Sequence, residues 1–129
     1  MVARFLFLLV LLAPFAAHAA FQTRSPATCI SFDIGNPNWG NPDRAQTSND
    51  ADATSTVNDN QTTDALVCLQ YGFSIPAGAT ILGIIVRVER SATAGGSPKR
   101  DALMRILKGG TAEPADRSTA TNYTAGDVV

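Results

Sequence analysis

Residues 73–89 read FSIPAGATILGIIVRVE, and few folds accommodate such a run. Pro76, Ala77 and Gly78 predict a tight turn, because proline presets one corner and glycine accepts the backbone of the next. From Ile81 onward Leu82, Ile84, Val86 and Val88 fall on one face at period two. Ile81 and Ile85 share the other face with Gly83, Arg87 and Glu89, so that face is expected to start buried and end wet. The stretch predicts the longest strand of the protein and the spine of a β-sandwich.

The chain has 129 residues, and its start reads as an export signal rather than as part of the fold. Arg4 supplies a positive flank, residues 5–15 are almost unbroken apolar sequence, and Ala17-His18-Ala19 gives the small-x-small pattern of a signal-peptidase site. The apolar run is short for a bilayer, which needs roughly 20 residues. Cleavage after Ala19 leaves residues 20–129 as one domain, secreted, periplasmic or at the cell surface, with no membrane span. The net charge then moves from −1 to about −2 as Arg4 is lost. That balance lacks the basic footprint of a nucleic-acid binder. The hydrophobic fraction of 45% is raised by the signal, so the remaining chain is more polar than it looks.

Two cysteines remain, Cys29 and Cys68. In an oxidising compartment an even pair reads most simply as one disulfide, tying the first strand to the strand before Phe73. The spacing is not C-x-x-C, which argues against a redox pair.

Residues 28–33 predict that first strand, with Ile30 and Phe32 sharing a face. A loop over 34–43 is dense in turn residues and holds the only tryptophan, Trp39. Asn41 and Pro42 predict one helical turn, as N-cap and first helical residue. Residues 53–57 suit a short strand, and 65–73 a central one. After the spine, 93–100 reads as a hairpin loop and 101–108 as a strand stopped by Gly109-Gly110. Asp127-Val128-Val129 looks like a strand just beginning, so either the C-terminus is short or the chain is a fragment of a longer reading frame. The expected fold class is all-β, an antiparallel β-sandwich incomplete at its C-terminus.

Three segments carry a resemblance. NWGNPDRA at 38–45 resembles the W-x-N-P-x-N-A opening of a jelly-roll-like domain found in tailed-phage virion proteins and in bacterial secreted or surface proteins. DADATST at 50–56 looks like the D-x-x-A-T-A segment that follows it, and FSIPAGATILGIIVRVER at 73–90 is similar to its core motif. Residues 101–110 match the next strand, so the resemblance covers roughly 39–111. Arg44 stands where the opening pattern has Asn, and the export signal and cysteine pair are not typical of phage versions. The resemblance implies a jelly-roll architecture and a structural role, and brings no catalytic group with it.

The only histidine, His18, leaves with the signal, so no Ser-His or Cys-His pair and no histidine ligand remains. Glu89, next to Arg87 and Arg90, reads as part of a cross-strand ion pair worth little. Asn49, Asp50, Asp52 and Asp59 are candidates for a structural calcium ion, joined in the next loop by Asn58, Asn60 and Asp64; ordinary Asx turns explain the same composition. No other cofactor is expected. Trp39 and Tyr71 are the aromatics able to stack on a sugar ring, although a lone tryptophan in a small sandwich more often plugs the core. Tyr123, near the end of the chain, carries no expectation. Lys99, Arg100, Arg105 and Lys108 read as a solvated face.

The reading preferred on these grounds is a secreted, non-enzymatic structural or surface-attachment module whose partner is a cell-surface glycan or protein. The alternatives are a carbohydrate-binding module and an accessory part of a longer secreted enzyme.

Overall fold

The computed structural model describes residues 21–32, 37–93 and 97–125. The export signal, the loop start at 34–36, the tip of the 93–100 loop and the strand expected from Asp127 lie outside them. What is described is poor in helix and built on antiparallel strands in two small sheets.

The first sheet pairs β1 (Thr28–Phe32) with β2 (Ala65–Leu69). Cys29 stands opposite Cys68 in the register and the two form a disulfide. This is the expected staple, but β2 ends at Leu69, short of the strand expected over 65–73, because Gln70 and Gly72 take positive φ, and in a two-stranded sheet it is not central. Ile30 and Phe32 share a face as expected, and it is the open one. Ile30 and Phe32 are 41% and 55% exposed, whereas Cys29 is 4% exposed and Ser31 is half-buried. Polar anchoring decides the side: the Trp39 loop bonds to Ser31 and to Asp64, and the 3-10 segment that follows it packs on β1.

That segment, Pro42–Gln46, is the predicted helical turn in 3-10 form. Asn41 occupies the N-cap position but makes no side-chain cap. Its backbone is left-handed, with φ 49°, and a capping side chain needs the extended conformation instead. The neighbouring Gly40 forms a two-way backbone bridge with Thr54, which is all the structure forms of the strand expected at 53–57.

The expected turn forms, with Ala79 N donating to Pro76 O, but its corners are Ala77 and Gly78, the latter at φ 78°, and Pro76 only opens it. The long strand beyond it does not form. Residues 79–89 belong to no ladder among the described residues. Neither face of the stretch is covered: Leu82 is 89% and Ile85 76% exposed, and Ile81, Ile84, Val86 and Val88 are also open. The alternation is real, but the facing sheet that would bury it is absent from the described residues.

The remainder is a loose hairpin. Its turn is Gly109-Gly110, both at positive φ, the backbone that a two-residue turn requires. Beside it, β3 (Leu107–Lys108) pairs with β4 (Thr111–Ala112). Farther out, the arms are joined by single bonds, Glu113 N to Ile106 O, Arg117 N to Met104 O and Tyr123 N to Lys99 O. Only Leu107–Lys108 of the strand expected over 101–108 is paired. Among the described residues no side chain is fully buried, and Cys29 and Asp64 alone fall in the buried class.

Candidate functional site

Two clusters of converging polar side chains stand out. The first closes the loop that carries Trp39. Asp64, just before β2, is 3% exposed and accepts a 3.0 Å hydrogen bond from Ser31 Oγ on β1. The same hydroxyl accepts one from the Trp39 backbone N–H at 3.0 Å. The indole Nε1–H of Trp39 donates to Asp64 O at 2.8 Å, and Asp64 N–H donates to Pro37 O at 3.1 Å. Ser55 Oγ donates to Asn38 O from the other side. Each partner satisfies another, as partly buried polar groups require.

Trp39 is therefore neither a deep core plug nor a free platform: it is half-buried, with its N–H bonded internally. Tyr71, the other sugar-stacking candidate, packs parallel to Phe73 with ring centroids 6.2 Å apart, and burial raises its phenol pKa. The two candidates are not brought together. One is bonded just before β2 and the other follows its end, about 17 Å along a five-residue strand.

Of the calcium candidates, Asn49, Asp50 and Asp59 lie in bends or turns, whereas Asp52 lies in extended chain between them. Asn49 Oδ1 accepts from Ala51 N–H at 3.3 Å, an Asx turn, and Asp50 and Asn60 hold the left-handed backbone that Asx residues tolerate. Asn58 and Gln61 close the next turn on each other. Among the described residues no three His, Cys, Asp or Glu side chains are placed to hold one metal ion.

The second cluster was not legible in advance. The Arg90 guanidinium makes an ion pair with Asp101, whose other oxygen accepts from the Tyr123 hydroxyl. Arg90 also lies over the Tyr123 ring, 5.3 Å from its centroid. Burial, then the hydrogen bond to Asp101, pushes the Tyr123 phenol up to about 12. The cross-strand ion pair expected at Glu89 forms instead at its neighbour: Arg90 takes Asp101, and Glu89 accepts from Ser48 Oγ. Opposite charges flanking a hairpin loop were the available signal for Arg90 and Asp101. Tyr123, dismissed by its position, completes the site. Beside it lies a cavity of about 240 Å³ with Val86, Val88 and Met104 as its apolar lining and Arg87, Arg90, Arg117 and Thr119 as its polar lining.

Asp116 organises the loop that carries Arg117 and Thr119. It accepts from Met104 N–H and from both the backbone and hydroxyl of Ser118, and these bonds hold its carboxyl below the usual range.

No protein-family model, curated protein or solved structure matches the chain. No helix among the described residues is long and apolar enough to cross a membrane. The disulfide fits a secreted or extracellular protein.

Proposed function

We propose that the chain is a secreted, non-enzymatic β-sandwich module of the jelly-roll-like kind, with a structural or surface-attachment role. Residues 1–19 direct its export and are removed after Ala19. The observation that carries the reading is the open apolar surface. Six apolar side chains between Ile81 and Val88, with Ile30 and Phe32 on β1, face outward. Exposed apolar side chains in such number mark a surface that works against another one. The polar clusters support the same reading, because their side chains are bonded to one another in ways that hold loops in place.

The test is sedimentation of the exported protein with envelope fragments of the bacterium that produces it, against buffer alone. Retention in the envelope pellet is expected, and it should drop at least about tenfold in Leu82→Lys/Ile85→Lys, which puts two charges into the contact. Equal distribution with and without envelope would remove the attachment role. A carbohydrate-binding role is carried less far, because the indole N–H of Trp39 is already bonded to Asp64.

A further inference from the structure

Arginine residues that line a cavity usually face carboxylates that neutralise them. Here the balance is uneven. Arg87, Arg90 and Arg117 all line the cavity beside the Tyr123 cluster, together with Thr119. Asp101 is paired with Arg90 alone among them, and its other oxygen is taken by the Tyr123 hydroxyl. Asp116, next to Arg117 in sequence, is turned to Met104 N–H and Ser118. Among the described residues Arg87 and Arg117 have no ion-pair partner. Arg90 Nε is buried and finds no hydrogen-bond acceptor among the described residues.

We propose that this cavity is an oxyanion-binding site that takes a carboxylate or sulfate group, whatever surface the module attaches to. A guanidinium offers planar, paired donors matched to such groups, and three of them around one space favour an anion over any neutral ligand. Arg90 is held in place by the Asp101 ion pair and the Tyr123 ring, so one donor is preset. Arg87 and Arg117 are exposed and supply the remaining charge.

The test follows the arginine Nε–H resonances of the exported protein by NMR during titration with sodium sulfate and, separately, with galacturonate. Sodium chloride at matched ionic strength is the control. A saturable shift of the Arg90 signal that chloride does not reproduce is expected with at least one probe. A response to sulfate alone identifies a small dianion site, and one to galacturonate alone a sugar carboxylate site; either supports the proposal. Arg87→Gln and Arg117→Gln should each weaken binding about tenfold, the loss expected from one charged hydrogen bond. Arg24→Gln, which removes the same charge elsewhere on the exposed surface, should leave it unchanged. Shifts equal to those of chloride, no response to either probe, or equal weakening by Arg24→Gln would overturn the site. The wild-type comparison with chloride decides the matter even if an arginine variant fails to fold.

Discussion

The phenol of Tyr123 is the most strongly perturbed titrating group described, and its sign predicts how the fold responds to alkali. Its folded pKa of about 12 lies above the ordinary value of 10.0. A raised value means the fold prefers the neutral phenol, so its contribution is complete below about pH 10 and is lost as pH rises through about 12. Spectrophotometric titration should therefore find both tyrosines ionising above the ordinary range, with Tyr123 reaching about 12. Tyr123→Phe should flatten the alkaline fall in Tm, because phenylalanine cannot ionise. The same variant should cost about 1 kcal/mol at neutral pH by removing the hydrogen bond to Asp101. A Tm that falls identically in both proteins between pH 10 and 12 would contradict the assignment. Arg90 and Asp101 were visible in the sequence as opposite charges, but their partnership with Tyr123 was not. It depends on how the far arm of a hairpin returns, which spacing alone does not encode.

Among the elements, the paired strands β1 and β2 carry the clearest energetic prediction. In the chain-entropy picture, closing the 39-residue separation between Cys29 and Cys68 stabilises the fold by about 3–4 kcal/mol. Reduction should lower the Tm by well over 10 °C in a domain of this size, at about 4–8 °C per kcal/mol. An unchanged melt accompanied by two titratable thiols would reject that role. Both strands, their partnership, the turn at Pro76 and the helical turn after Asn41 were legible, since local chemistry specifies each of them. The buried face of β1 was not. Alternation identifies two faces but does not say which one a loop will cover, and Ser31 wins over Ile30 through its bond to the Trp39 backbone. The long strand fails for the complementary reason: period two marks residues 81–88 as able to pair, while pairing itself needs a neighbour.

For the whole molecule, the outward-facing apolar residues make association the main hazard in solution. The 81–86 run is rich in β-branched residues, uncharged and free of proline, the composition that promotes strand-to-strand aggregation. Light scattering should show concentration-dependent growth, and Leu82→Lys/Ile85→Lys should suppress it without lowering the Tm, since neither side chain is buried. Growth unaffected by that change would place the association elsewhere. The disulfide has an effect at this scale that differs from its effect on stability. Arg44, the 3-10 segment and the exposed Asx turns all lie within the covalent ring that Cys29 and Cys68 close. A protease that cuts any one of those loops opens the ring without dividing the molecule. The Trp39 knot and both strands then stay on one covalent piece, and a single nick becomes visible as two fragments only after the bond is reduced.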